Sequence, residues 1–302
     1  MPEEEYERRI GSQHRSTAGA AIYRLYEHFG GRPNGVALEI GAGSGAATVG
    51  FVAAAKSMRV VVTDPSVPFL RILREKLRRE GVTSEELIFG TLVGEDLSRF
   101  PSNALDLVFV QAAIHHVLDY RHFILETARI LKPGGMLIFQ EPFSEGYLMM
   151  LLAVEFMLRM DGSTLTLSAD DRRKIMGMRD AMLMQSNRCL PKDRYEDKHC
   201  FYTDEIMAVC WNAFDSVHFL RNQSFDSISD LTAIGEVAAL PSTRSSITDY
   251  LRSFMVHHHL VSDDGAGTFD TYVAPALRPI DALYRQGDGP AMFAVVVAVK
   301  GG

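Results

Sequence analysis

Three places in the chain combine residue types that can do chemistry. The first is Glu39-Ile-Gly41-Ala42-Gly43-Ser44-Gly45, an acid followed by glycines at alternate positions. A turn without Cβ atoms at Gly41, Gly43 and Gly45 lets a nucleotide-like ligand approach the backbone closely. The second is Asp64-Pro65, an acid that closes the next apolar run and can accept hydrogen bonds from the hydroxyls of a ribose. The third is Ile114-His115-His116-Val117, where an imidazole could take a proton from a hydroxyl nucleophile near neutral pH. The glycines alone leave the ligand open. Gly41-x-Gly43-x-x-Ala46 also satisfies the permissive dinucleotide fingerprint, so a nicotinamide or flavin cofactor stands beside other adenosine-bearing ligands.

Two further clusters carry less. His257-His258-His259 are consecutive, and successive helical residues point about 100° apart, so the three cannot converge on one ion. Cys189, Cys200 and Cys210 make an odd count without CxxC spacing, which predicts neither a disulfide framework nor a zinc site. No metal is expected, and a reducing, cytoplasmic setting is.

The elements that must position these residues alternate along the first half. Polar helix up to about residue 34 is stopped by Gly30-Gly31-Arg32-Pro33-Asn34. Strands are predicted at 36–40, 59–63, about 87–89, 105–110 and 136–140, with helices at about 46–56, 66–80 and 120–131, the last broken by Lys132-Pro-Gly-Gly135. The apolar, β-branched strands suit a parallel sheet buried on both faces. After Glu141-Pro142 the rhythm lapses into a helix-like, methionine-rich stretch, 143–200. A helix from Thr203 and a strand at 216–220 resume the core, a second departure fills 222–289, and Ala291–Val299 is a strong last strand. The divisions are therefore 1–142, 143–200, 201–221, 222–289 and 290–302.

With 302 residues, 47% of them hydrophobic and 23% charged, the chain can bury a large core. Its net charge of -7 and the absence of a repeated basic tract argue against a nucleic-acid substrate. Arg71, Arg74, Lys76, Arg78 and Arg79 read as the wet face of a helix whose Leu70, Leu73 and Leu77 face inward. The most apolar run, Tyr147–Met160, is too short to span a bilayer and carries Glu155 and Arg159.

Taken in order, Glu39-x-Gly41-x-Gly43-x-Gly45, Asp64, Asp106-Leu-Val-Phe followed by Ile114-His-His-Val117, and Leu131-Lys-Pro-Gly-Gly135 resemble the class I S-adenosylmethionine-dependent methyltransferases. The resemblance covers about 36–142 and returns at 201–220 and 291–299. It implies a Rossmann-like α/β fold. Its seven-stranded, mostly parallel sheet has order 3-2-1-4-5-7-6 and an antiparallel last strand, helices lie on both faces, and helical insertions form a lid. It implies S-adenosylmethionine as cofactor and S-adenosylhomocysteine as product. Glu39, Gly41, Ala42, Gly43, Gly45, Asp64, Pro65, Asp96 and Gln111 are then the cofactor residues, with Asp96 or its neighbour Glu95 standing in for an adenine-contacting acid that Val93 replaces. His115 and His116 are the candidates for catalysis, although methyl transfer also succeeds by positioning alone, and either histidine could simply tie its loop to the backbone.

The expected activity is methylation, at oxygen, of a small and partly apolar molecule; an NAD(P)-dependent oxidoreductase or a non-catalytic S-adenosylmethionine-binding protein are the alternatives. The helix at 147–160 is apolar around most of its circumference and needs cover. Its methionines suit a lid over an irregular pocket, and a homodimer interface would cover it equally well. In the lid reading Met149, Met150 and Phe156 face the acceptor.

Overall fold

Seven strands form the spine: β1 Val36–Ile40, β2 Arg59–Thr63, β3 Leu87–Gly90, β4 Leu105–Gln111, β5 Leu131–Pro142, β6 Ser216–Arg221 and β7 Phe293–Val299. They lie in the order β3-β2-β1-β4-β5-β7-β6. The β1–β2, β1–β4, β2–β3 and β4–β5 pairs are parallel, and β7 runs antiparallel to both β5 and β6. This computed structural model describes residues 17–82, 87–94, 96–160, 167–187, 189–190, 193, 197–221, 225, 228, 247–257, 260–285 and 291–302.

The sheet is the expected one because its strands are apolar on both faces. Every residue of β4 from Leu105 to Val110 is buried, and so is every residue of β7 from Phe293 to Ala298. Each face is covered by helices, as two-sided burial of a parallel sheet requires. On one face Ile22 and Leu25 of α1 (Thr17–His28), Phe51 of α2 (Thr48–Ala54) and Leu70, Leu73 and Leu77 of α3 (Val67–Arg79) form one core with Val60, Phe109 and Ile138. On the other, Phe123 and Ile124 of α4 (Tyr120–Ile130) pack with Leu38, Val108, Phe139 and Val296.

Two boundaries differ from the pattern reading. The Lys-Pro-Gly-Gly stretch does not precede β5 but lies inside it. Leu105 pairs with Leu131 and Leu107 with Met136, so residues 132–135 loop out of the ladder, with Gly134 at φ 77°. Helix α2 is shorter than 46–56, because the glycine turn extends through Ala47 before the helix begins.

Both insertions are helical. The first contributes α5 (Ser144–Met160) and α6 (Ala169–Ser186), and α7 (Thr203–Ala213) then returns to the core. The second contributes α8 (Ile247–His257), α9 (Asp263–Thr268), a π-helical turn at Phe269–Val273, and α10 (Ala274–Arg285). They are not separate additions. Met150, Val154 and Met157 of α5, Ile175 and Met182 of α6, Leu251 and Met255 of α8, and Phe269 and Leu277 share one core with Met292 and Phe293. Buried Asp171 of α6 also accepts from the Ser262 backbone N–H (3.0 Å) and hydroxyl (2.5 Å), tying the two insertions by charge-assisted bonds.

This second body stands at the edge where β5 ends and antiparallel β7 begins. The chain passes from Pro142 through Phe143 directly into α5, and the Phe143 N–H donates to the Met292 carbonyl (3.0 Å). Among the described residues no helix is long and apolar enough to cross a membrane.

Candidate active site

The carboxyl ends of β1, β2, β4 and β5 meet at the point where strand order reverses, the place ligands occupy in open α/β sheets. Glu39 is the fourth residue of β1, and its side chain is buried against Thr48, whose hydroxyl donates to Oε2 at 2.6 Å. Burial first, then the neighbouring Asp64, push its pKa up to about 8, against the Thr48 bond, which lowers it. A buried carboxyl so raised gains most from a cation brought to it.

Asp64 closes the loop from the side of β2. Its Oδ2 accepts from the Gly43 N–H at 2.8 Å and its Oδ1 from the Ser66 N–H at 2.7 Å. The carboxylate therefore shapes the glycine turn as well as facing it. Ala42 donates its N–H to the Thr63 carbonyl (3.0 Å), and Pro65 separates Asp64 from Ser66, which caps α3 through Phe69.

The glycines are needed for two different reasons. Gly43 has φ +52° and open space where a Cβ would stand, so it leaves room for a ligand. Gly41 has φ +71°, and a Cβ there would meet the Ala113 side chain at 2.5 Å, so the β1 loop and the β4 loop are packed directly on one another. A brace that the sequence reading missed comes from α3: Lys76, placed by its spacing on the wet face, donates to the Ser44 carbonyl at 3.0 Å.

At the end of β4, Gln111 carries a buried Oε1 without a hydrogen-bond partner among the described residues, and Ala112 just beyond adopts φ +51°. A non-glycine residue held in that region marks a turn whose shape its surroundings impose. Asp96 lies elsewhere in its bonding. Its carboxylate accepts from Ser98 (2.8 Å) and Arg99 (2.8 Å) on its own 3-10 turn, so these contacts give no support to a role at an adenine edge.

His115 and His116 sit on the 3-10 turn Ile114–His116. The residue that organises them is one the sequence reading passed over: Glu141, fully buried near the end of β5. Its Oε1 accepts from the backbone N–H of Ala113 (2.9 Å) and Ile114 (2.7 Å), and its Oε2 meets His115 Nδ1 at 2.6 Å. A carboxylate accepts, so Nδ1 carries a proton, and in the neutral imidazole Nε2 presents a lone pair. The signal was available, since Glu141 is an acid closing an apolar parallel strand, as Glu39 and Asp64 nearly or wholly do.

Asp197 arrives from the first insertion. Its Oδ1 is 3.6 Å from His115 Nε2 and 3.4 Å from His116 Nδ1. Its Oδ2 accepts from Gln185 of α6 at 2.6 Å. The segment is pinned because Lys198 and His199 both donate their N–H to the His115 carbonyl, at 2.8 and 3.1 Å. Tyr147, in the first turn of α5, belongs to the same neighbourhood. Burial raises its phenol pKa most, and Cys200, Asp197, Tyr250 and Glu141 raise it further.

Helix α5 is thus split among roles. Tyr147 belongs to the site's surroundings, Met150 is in the helical core, and Phe156 is 42% exposed on the outside together with Leu148 and Leu152. The expected trio Met149, Met150 and Phe156 does not share one face. His258 and His259 lie outside the described residues.

Residues 38–139 match the sequence family described as Methyltransferase domain. Residues 38–139 are a methyltransferase domain of the class I, S-adenosylmethionine-dependent kind.

The ubiquinone/menaquinone biosynthesis C-methyltransferase UbiE of Hydrogenovibrio crunogenus is 30% identical over 126 residues, 40% of this chain and 49% of that protein. The reducing polyketide synthase Preu2 of Preussia isomera is 32% identical over 115 residues, 36% of this chain and 5% of that protein. The chain spans about half the length, or far less, of these curated relatives. Among solved structures, the Haemonchus contortus phosphoethanolamine N-methyltransferase 2 superposes with a TM-score of 0.52 at 15% identity, covering 99% of this chain and 57% of that one. That likeness is one of fold. The methyltransferase domain supplies the glycine loop and the His115 turn, while Asp197 and Tyr147 come from the insertion that follows it.

Proposed function

We propose that the protein is an S-adenosylmethionine-dependent methyltransferase acting, at a hydroxyl oxygen, on a small and partly apolar acceptor. The observation that carries this reading is the direct packing of the Gly41 loop on Ala113, which sets the loop between Glu39 and Asp64 beside the His115–His116–Asp197 cluster. One half suits an adenosyl amino acid and the other a polar acceptor group.

The fit to the cofactor rests on this chain's own atoms. Asp64 places a carboxylate, an acceptor suited to ribose hydroxyls, at the glycine turn, Gly43 leaves room at the backbone, and Glu39 and the Gln111 Oε1 offer buried acceptors for an ammonium group. When bound, the cofactor supplies a methyl group on a sulfonium, already activated for transfer. The chain holds the acceptor oxygen in line with that methyl, and alignment of this kind is itself a large part of catalysis. Glu141 orients His115 toward the acceptor side, and the insertions exclude water. None of the three described cysteines is in a disulfide, in keeping with a cytoplasmic setting.

A second reading places the methyl on carbon. It is favoured by the similarity of residues in the domain to C-methyltransferases of quinone biosynthesis. An ionised phenol or enol is nucleophilic at both oxygen and conjugated carbon, so the same site serves either outcome.

The test has two arms. S-adenosylmethionine and S-adenosylhomocysteine should raise Tm while NAD and NADP do not; stabilisation by a nicotinamide cofactor alone overturns the reading. A panel of small phenols, enols and quinols, incubated with methyl-labelled cofactor and resolved by mass spectrometry and NMR, then assigns the methylated atom. Cofactor binding without turnover on any of them would favour a non-catalytic binding protein.

A further inference from the structure

The His115–His116–Asp197 cluster has a geometry that acceptor binding by itself does not explain. His115, His116 and Asp197 each bring one ligand atom within 4.8 Å of the other two. The nitrogen–oxygen separations of 3.6 and 3.4 Å are longer than an N–H···O hydrogen bond. Two donors each about 2.0–2.1 Å from one ion at tetrahedral angles stand about 3.4 Å apart. Both nitrogen–oxygen separations are therefore those of ligands around a common centre.

The surroundings fit the same pattern. Metal-bound imidazoles donate their other N–H to a carboxylate or carbonyl, which sets the tautomer and the ring plane. His115 does so through Nδ1 to Glu141 at 2.6 Å, and Glu141 is itself fixed by the Ala113 and Ile114 N–H groups. Asp197 is oriented in the same way by Gln185 on its other oxygen. The backbone bonds from Lys198 and His199 to the His115 carbonyl hold the two ligand-bearing segments together. The cluster is partly open, with His115 14%, Asp197 32% and His116 41% exposed at the side chain, so an ion and an exogenous ligand can reach it.

We propose that His115 Nε2, His116 Nδ1 and Asp197 Oδ1 bind one divalent first-row cation, zinc by ligand type and spacing, with a fourth position open beside the methyl-transfer site. Two histidines and one carboxylate with an open position are the ligand set of catalytic rather than structural zinc. This site carries no CxxC spacing and draws on neither the cysteines nor His257–His259, which is why sequence spacing predicts no metal. An acceptor hydroxyl entering the open position becomes more acidic. Its proton passes to water, its oxygen attacks the methyl carbon, and the carbon–sulfur bond breaks to leave S-adenosylhomocysteine. This last step rests on the proposed activity; the binding of the ion does not.

The experiment is titration of chelator-stripped full-length protein with zinc chloride by calorimetry, and with cobalt(II) chloride by absorption spectroscopy. The expected result is one ion per chain and the intense visible bands of four-coordinate cobalt. His116→Ala and Asp197→Asn, both at partly exposed positions, should each weaken zinc at least tenfold while S-adenosylhomocysteine affinity holds. Glu141→Gln, which turns a donor toward His115 Nδ1, should weaken zinc by about 10- to 100-fold. Absence of stoichiometric binding, or binding unchanged in both His116→Ala and Asp197→Asn, overturns the proposal. So does binding lost in Cys200→Ser but retained in those two. Zinc binding without methyl transfer would leave the metal site standing and count against the proposed activity alone.

Discussion

Glu39 couples the stability of the unliganded protein to pH in a direction opposite to most carboxylates. Its pKa in the fold is about 8, against an ordinary value of 4.5, chiefly because the side chain is buried. Between those values the folded state holds a proton that the unfolded state has released, so stability falls as pH rises, by up to about 1.4 kcal/mol per unit. The contribution is greatest below the unfolded pKa and is lost as pH climbs through the folded one. Between about pH 5.5 and pH 7.5 the loss from this one group is roughly 2–3 kcal/mol.

Glu39→Gln removes the titration while keeping an acceptor for the Thr48 hydroxyl. Urea denaturation of parent and variant at the two pH values should show the variant gaining relative stability by that amount at the higher pH. Other titrating groups cancel in the difference. Equal gaps between parent and variant at both pH values would refute the assignment of a protonated, buried Glu39. The same variant should bind S-adenosylhomocysteine more weakly, since the carboxylate that a ligand ammonium would ionise is gone.

Asp64→Ala should cost cofactor affinity of about 2–4 kcal/mol by calorimetry. It should also lower stability without ligand, because Gly43 and Ser66 each lose a charge-assisted bond. His115→Ala should reduce turnover by about 10²–10⁴ while S-adenosylhomocysteine affinity is unchanged; near-parent turnover on the acceptor would leave positioning as the whole mechanism. In α5, Met150→Ala should destabilise by about 2–5 kcal/mol in denaturant titration, as expected for a buried core residue, whereas Phe156→Ala should change stability by less than about 1 kcal/mol. A reversed order would mean the helix packs the other way round.

What local sequence determined here is what local physics controls. Apolar strands alternate with amphipathic helices, and glycines stand where the turn after β1 needs positive φ. An acid closes β2, so the sheet and the glycine loop were legible from residues close together in the chain. Even the Lys-Pro-Gly-Gly interruption was visible, although pairing of Leu105 with Leu131 made it a bulge within β5 rather than a boundary before it.

Only the tertiary structure decided the rest, because those contacts join residues far apart with no periodicity linking them. Glu141 reaches His115 across 26 positions, and Asp171 reaches Ser262 across 91, turning two insertions into one body. Periodicity correctly marked α5 as apolar on most sides. It could not say which side meets which neighbour, since that depends on the partners a fold brings from elsewhere. Asp197 carries no local signature at all; it joins the histidines only because Lys198 and His199 fasten its segment to the His115 carbonyl.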